Sequence, residues 1–272
     1  MQEFHAEAVA RRHLADLIGF RRRAKEMEPR VIYRTRKQQM SYGRPIGIVT
    51  LDEAIPCPPG TPGNPTTFSH PVVYEIVKGA DIDSLIGLNS PDSEAAFLAA
   101  GQVLADKGVS AIAGNCGLMI VHQAAMARAF PVPVLMSSLL QLPLIAAMLG
   151  LRHRVGIMAS SHRSLKPEHL LMATGGADIP VALASMDGQP CFRAGMADGE
   201  LDFDRAEAEV VAVAQGLVAD NPDVGAILFE CVDLPPYAHA VQEATGLPVY
   251  DITTLVEHAV SAVARRPFAG VY

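Results

Sequence analysis

One segment of the chain occurs twice, and this repeat constrains the fold more than any other feature. Residues 109–117 (VSAIAGNCG) match residues 224–233 (VGAILFECVD), so that Cys116 aligns with Cys231 at an offset of 115 residues (231 − 116). A repeat of this length is typical of a duplicated α/β unit rather than of a short solenoid repeat. Two thiols at equivalent positions predict a site that is built symmetrically between two halves.

A second match supports the same division of the chain. The strand-like run of residues 46–51 is echoed by residues 155–160, and Gly47 aligns with Gly156 at an offset of 109 residues (156 − 47). Apolar segments of strand length alternate with segments of helical spacing in both halves. This alternation predicts an α/β fold with two pseudo-symmetric lobes, each a mainly parallel sheet flanked by helices.

The expected organisation has three parts. They are an N-terminal helical and basic arm over residues 1–44, a first α/β lobe over residues 45–150 and a second α/β lobe over residues 151–272. The arm has helical spacing of apolar residues followed by the basic run at residues 21–25. Such a run more often forms a solvated face or a subunit contact than an anion-binding site, and the arm is compatible with a homodimer.

Composition excludes several classes of protein. A net charge of −7 gives no support for nucleic-acid binding, and no apolar run is long enough to span a bilayer. Four cysteines in 272 residues do not make a disulfide framework, and the N-terminus lacks the apolar segment of a signal peptide, so a reducing cytoplasm is expected. No metal-ligand cluster and no nucleotide-binding motif is found, so the expected partner is a small molecule without a cofactor.

The position of the two cysteines suggests proton chemistry. In parallel sheets, ligands bind beyond the carboxyl ends of the strands, where both thiols are expected. Backbone N–H groups at the start of a helix lower a thiol pKa and attract a carboxylate. One thiolate can then remove a proton next to a carboxylate while the other thiol delivers a proton to the opposite face. Hydrogen-bond donors must stabilise the charge that develops on the substrate, and candidates at strand ends are Asn115, Ser137, Ser138, Ser160 and Ser161.

The segments around both cysteines resemble the aspartate/glutamate/hydantoin racemase superfamily. The matching segments are Gly114 to Gly117 (GNCG), Glu230 to Tyr237 (ECVDLPPY) and the opening stretch at residues 47–71. The resemblance covers most of the chain after residue 44, and it implies an active site between two lobes, with no pyridoxal phosphate and no metal. It implies Cys116 and Cys231 as the catalytic pair. Together with the donors above, the substrate-binding candidates are Asn64, Asn115, Gly117, Ser137, Ser138, Ser160, Ser161 and Val232.

The chain departs from the pattern of the amino-acid racemases beside each cysteine. Gly117-Leu118 replaces an Asn-Thr pair, Val232 replaces a Thr, and Asp233 stands where glutamate racemases have a His. The main hypothesis is a cofactor-independent racemase or epimerase of a small carboxylate such as aspartate, glutamate or a hydantoin. The alternatives are a maleate-isomerase-like cis–trans isomerase or a lyase using one cysteine covalently, and a non-catalytic binder of small acids.

Four further residues are weaker candidates. Cys57 and Cys191 have no partner in the repeat and are interpreted as structural. His122 and His162 follow the predicted site strands, where each could orient a carboxylate or serve as an ordinary surface or capping residue.

Overall fold

A computed structural model describes residues 45–86, 91–150 and 153–268 of the protein. The predicted N-terminal arm lies outside the described residues. Within them, eight strands form two parallel sheets of four strands each. The strands are β1 (Ile46–Thr50), β2 (Val72–Ile76), β3 (Ala111–Gly114), β4 (Val134–Leu135), β5 (Arg154–Ala159), β6 (Val181–Ser185), β7 (Val224–Phe229) and β8 (Val249–Tyr250).

The two sheets have the same topology. Their strand orders are β2-β1-β3-β4 and β6-β5-β7-β8, so each strand of the first sheet has a counterpart four strands later. Since the two sheets are parallel and identically ordered, the α/β fold with two pseudo-symmetric lobes is confirmed. The repeat was visible in the sequence because the central strands of both sheets are buried and therefore apolar throughout.

Helices connect the strands and flank both sheets. They are α1 (Ile82–Ile86), α2 (Pro91–Lys107), α3 (Gln123–Ala129), α4 (Leu142–Met148), α5 (Pro167–Thr174), α6 (Pro190–Asp198), α7 (Phe203–Asp220), α8 (Ala238–Thr245) and α9 (Ile252–Val263). Short 3₁₀ helices cover Pro65–Thr67, Gly117–His122, Ser138–Gln141 and Pro235–Tyr237. No helix of the described ranges combines the length and the hydrophobicity that a membrane crossing requires.

The aligned glycines Gly47 and Gly156 have the same packing role in the two lobes. A β-carbon at Gly47 would lie 2.9 Å from a methyl group of Leu104 on α2. A β-carbon at Gly156 would lie 2.9 Å from a methyl group of Leu217 on α7. The long helix of each lobe therefore approaches its sheet where the strand has no side chain.

The hydrophobic core is continuous between the lobes. One buried cluster joins Leu104 and Ile112 of the first lobe to Ile157 and Leu228 of the second. In another cluster, α9 from the end of the chain packs its buried residues against β1 and β3 of the first sheet. The lobes therefore pack against each other through side chains that are almost entirely withdrawn from solvent.

Candidate active site

The two cysteines occupy equivalent positions beyond the central strands. β3 ends two residues before Cys116, and β7 ends two residues before Cys231. The residue in front of each thiol is held by an equivalent backbone bond to the neighbouring strand. The Asn115 N–H donates to the carbonyl of Val49 at 3.0 Å, and the Glu230 N–H donates to the carbonyl of Met158 at 2.9 Å.

Both thiols line one cavity of about 350 Å³ between the lobes. Loop residues that follow β1, segments that follow β3, β5 and β7, and one residue each of α1 and α6 enclose it. None of the lining residues, all of them in the described ranges, is a Lys, an Arg, a His or an aromatic residue. They are Leu51, Glu53, Ala54, Ile55, Cys57, Ile82, Asn115, Cys116, Gly117, Leu118, Ser160, Met196, Glu230, Cys231, Val232 and Asp233.

Three carboxyl groups give the cavity an acidic character. Glu230 is 2% exposed, and burial, followed by the charge of Asp233, raises its pKa to about 8. Burial raises the pKa of Asp233 to about 6, although the hydrogen bond from Cys231 lowers it in part. Glu53 is exposed at the rim, where its Oε1 accepts a 2.8 Å hydrogen bond from the backbone N–H of Ile82.

The expected lowering of the thiol pKa values is wrong. Burial is the main cause that raises the pKa of both Cys116 and Cys231 well above the ordinary value, and the charges of Glu230 and Asp233 add to it. Backbone N–H groups of Leu118 and Asp233 do lower the two pKa values, as the strand-to-helix position predicted, but their effect is smaller. In the unliganded cavity both side chains are therefore thiols rather than thiolates.

The thiol of Cys231 forms a hydrogen bond with a carboxylate. The Sγ of Cys231 lies 3.6 Å from Oδ2 of Asp233, to which it donates a hydrogen bond. Among the described residues, Cys116 has no corresponding side-chain acceptor. The two thiols therefore occupy equivalent positions, but they differ in their hydrogen-bond partners.

Four of the eight predicted substrate-binding residues line the cavity. They are Asn115, Gly117, Ser160 and Val232. The side chains of Asn115 and Ser160 have no hydrogen-bond partner among the described residues, so their donors are available to a ligand.

The other four candidates are placed elsewhere and have other partners. Ser138 donates to the carbonyl of Phe229 at 2.7 Å, and Ser137 accepts from the N–H of Leu139 as the N-cap of a 3₁₀ helix. Ser161 donates to Asp187, and Asn64 caps the 3₁₀ helix at Pro65–Thr67. Each of these side chains is engaged in a hydrogen bond within the protein, three of them within one lobe and that of Ser138 between the lobes, and this placement counts against a role in substrate binding.

The two histidine candidates also lie away from the cavity. His122 is fully buried, stacks on Phe97 at 4.0 Å between ring centroids and is within 3.1 Å of the hydroxyl of Ser93. Burial lowers its pKa to about 4. His162 is exposed, and its N–H donates to Asp187.

Several residues of the cavity are not among the predicted site residues. Cys57, interpreted as structural, lies in its wall together with Glu53, and Met196 reaches it from α6. The position of the loop was a usable signal, because the segment after β1 starts at the same sheet edge as the cysteine segments. Among the described residues, no group of His, Cys, Asp and Glu side chains is arranged to hold a metal ion.

Comparison with known proteins identifies similar sequences and similar folds. No family model matches the chain. It is 33% identical over 236 residues to a dimethylsulfoniopropionate lyase of Durusdinium sp. clade D, covering 83% of the chain and 77% of that protein. It is 30% identical to dimethylsulfoniopropionate lyase 6 of Emiliania huxleyi, of which the chain spans 61%.

Solved structures of two enzymes have the same fold. Arylmalonate decarboxylase matches with a TM-score of 0.54 at 16% identity, over 84% of the chain and 95% of that structure. The aspartate racemase of Picrophilus torridus matches with a TM-score of 0.53 at 13% identity, over 83% of the chain and 96% of that structure. The chain therefore has the Asp/Glu racemase-like fold that the sequence resemblance implied.

Proposed function

The chain belongs to the family of the dimethylsulfoniopropionate lyases, and from this premise we propose that it is a lyase that cleaves dimethylsulfoniopropionate or a close sulfonium analogue. This proposal takes the reaction class from the lyase alternative rather than from the racemase hypothesis, but the cysteine acts as a base and not as the covalent nucleophile of that alternative. It keeps the proton chemistry that the two cysteines suggested, because the bond to be broken lies next to a carbon that carries an acidic proton.

The reaction is a β-elimination. A base removes a proton from C2, the carbon next to the carboxylate, and the electron pair of that C–H bond becomes the double bond between C2 and C3. The bond between C3 and sulfur breaks, and its electrons leave with sulfur. The products are neutral dimethyl sulfide, acrylate and one proton. Unlike racemisation, this reaction needs a proton to be removed from the substrate and none to be returned.

The hydrogen bond between Cys231 and Asp233 carries the proposal. Asp233 accepts the thiol proton across 3.6 Å, and the resulting thiolate takes the C2 proton. The sulfonium charge of the bound substrate lowers the pKa of a nearby thiol and so favours this transfer. Asn115 and Ser160 are the candidate donors to the substrate carboxylate, whose negative charge grows as C2 loses its proton.

The charge of the cavity supports a zwitterionic substrate over a dicarboxylate. Within residues 45–86, 91–150 and 153–268, its ionisable wall consists of carboxyl groups and thiols and includes no basic side chain. A second carboxylate, as in aspartate or glutamate, would face Glu230 and Asp233 without a compensating cation, which is unfavourable in a desolvated site. A sulfonium group meets those carboxyl groups with the opposite sign.

The direct test is product formation by the purified, reduced protein. We expect dimethyl sulfide in the headspace, measured by gas chromatography, and acrylate in equal amount, measured by proton NMR. A parallel incubation of aspartate, glutamate and hydantoins in D2O is expected to leave their α-protons unexchanged. Exchange of the α-proton of an amino acid, without cleavage of the sulfonium compound, would restore the racemase hypothesis. Absence of activity on both the sulfonium compound and the amino acids and hydantoins would overturn the lyase proposal.

The two cysteines are expected to differ in importance. Cys231→Ser replaces the base and should lower kcat by about 10³-fold or more, because a serine hydroxyl is a much weaker acid than a thiol. Cys116→Ser should retain measurable turnover, since elimination needs no second proton donor. Cys191→Ser, which changes a thiol outside the cavity, is the matched control. Equal loss in the Cys116 and Cys231 variants would contradict the one-base mechanism.

A further inference from the structure

The carboxyl group of Glu230 lies directly against a backbone segment of the other lobe. Its side chain lies against the backbone of Gly117, so that a β-carbon at residue 117 would collide with Oε1 of the carboxyl group and with the Glu230 carbonyl. The carboxyl group therefore occupies space that any side chain at residue 117 would fill. Its charge raises the pKa of both Cys116 and Cys231, which places it near the two thiols.

No neighbouring side chain neutralises this carboxyl group. Among the described residues, it has no ion pair and no side-chain hydrogen bond, although it is almost completely buried. The described ionisable groups that act on it or share its wall include no cation; they are Asp233, Cys57, Cys116, Cys231 and Glu53. Burying a carboxyl group without a partner is costly, so this arrangement indicates that a ligand supplies the partner.

We propose that Glu230, accommodated by Gly117, is the specificity-determining residue that binds the cationic head group of the substrate and selects sulfonium or quaternary ammonium compounds over neutral ones. The inference rests on the proposed lyase function, since it concerns the same cavity. The other two carboxyl groups are engaged, Asp233 with the thiol of Cys231 and Glu53 with the N–H of Ile82 at the rim. Of the described side chains that line the cavity, none is aromatic, so none can hold a cation by a ring face.

Binding of a cation should change the protonation state of Glu230, which can be measured. Because burial and Asp233 raise the pKa of Glu230 to about 8, this group is mostly protonated in the empty cavity at pH 7. A cation beside it favours the ionised form, so binding should release a proton. A carboxylate ligand of the same shape whose head group is uncharged should release none.

The experiment compares two ligands that differ only in charge. They are 3-(trimethylammonio)propanoate, which mimics the sulfonium zwitterion, and 4,4-dimethylpentanoate, in which carbon replaces the charged nitrogen. Binding to the full-length protein is measured by isothermal titration calorimetry at pH 7 in buffers of different ionisation enthalpy. We expect the wild-type protein to prefer the cation by about tenfold or more and to release a proton on binding it.

The Glu230→Gln variant keeps the shape of the side chain and removes its charge. We expect the cation preference to fall to within about threefold and the proton release to disappear. Glu230→Asp, which keeps the charge, should retain part of the preference, and Glu168→Gln, which removes one charge from an exposed position on α5, should retain all of it. Thermal unfolding confirms that each variant is folded before binding is measured.

The outcomes separate this role from the lyase function. An unchanged preference in Glu230→Gln, equal binding of both ligands by the wild-type protein, or no binding of either one would overturn the proposal. Sulfonium cleavage without a cation preference would remove the role of Glu230 and leave the lyase standing. A Glu230-dependent preference in a protein that cleaves no sulfonium compound would support the binding role alone.

Discussion

The pH dependence of kcat should report the ionisation of the Asp233 carboxyl group. It can accept the thiol proton of Cys231 only as a carboxylate, and burial raises its pKa to about 6. The ionised fraction, and with it kcat, should therefore rise with pH and level off above about 6. A bound sulfonium group, as in the proposed substrate, would favour the carboxylate, so the acidic limb of the kcat profile should lie at or below this value.

Replacing Asp233 by Asn tests this assignment. The amide cannot take the thiol proton, so we expect kcat at pH 7 to fall by about 10²-fold or more and the acidic limb to disappear. A stopped assay of dimethyl sulfide between pH 4.5 and 8.5 measures both effects. Asp220→Asn on the exposed end of α7 is the control and should keep the wild-type profile. An unchanged limb in Asp233→Asn would assign the titration to another group.

The sequence predicted part of this site because the thiols sit in a repeat. Alignment of Cys116 with Cys231 placed two side chains at equivalent strand ends, and Asn115 precedes the first of them. The carboxyl groups were harder to assign, because Glu230 becomes informative only through its approach to Gly117 from the other lobe. The raised thiol pKa values also depend on tertiary burial, which no local pattern reports.

At the scale of elements, α6 is a helix whose start has no local capping signal in the sequence. It begins at Pro190, contains Gly195 and is capped from a distant part of the chain. The carboxylate of Glu209 on α7 accepts hydrogen bonds from the N–H groups of Cys191 at 3.0 Å and Phe192 at 2.9 Å. Because this cap lies 18 residues away from Cys191, the usual capping signal in front of the helix is absent. By contrast, α7 begins at a local N-cap, because the side chain of Asp202 accepts a hydrogen bond from the backbone N–H of Arg205.

This cap should control the order of α6. Glu209→Ala leaves two N–H groups at the helix start without their acceptor, which should cost about 1–2 kcal/mol. We expect faster hydrogen exchange over residues 190–198, measured by mass spectrometry, and a weaker apparent substrate affinity because Met196 of this helix lines the cavity. Glu207→Ala, two residues away on α7, is the control. Equal exchange over residues 190–198 in both variants would contradict the capping role.

At the scale of the whole molecule, hydrogen bonds connect the two lobes that flank the cavity. The Ser138 hydroxyl of the first lobe donates to the carbonyl of Phe229 at the end of β7. The buried Gln141 donates to the carbonyl of Asp251 at 2.8 Å and accepts from the hydroxyl of Thr254 at 3.1 Å. Since the core is also shared between the lobes, opening the cavity widely would break buried contacts. The two thiols are therefore held in a fixed relation rather than on independently moving domains.

Cooperative unfolding follows from this shared core. We expect the two lobes to unfold in one transition, with calorimetric and van't Hoff enthalpies in agreement. Gln141→Ala should lower the free energy of unfolding by about 1–3 kcal/mol, because the Asp251 carbonyl and the Thr254 hydroxyl lose a buried partner, and should lower Tm by several degrees, about 2–4 °C per kcal/mol. Gln215→Ala at an exposed position of α7 should leave Tm within about 1 °C or raise it slightly. Two separate transitions, assigned to the lobes by hydrogen exchange, would show that the buried bonds of Gln141 do not couple them.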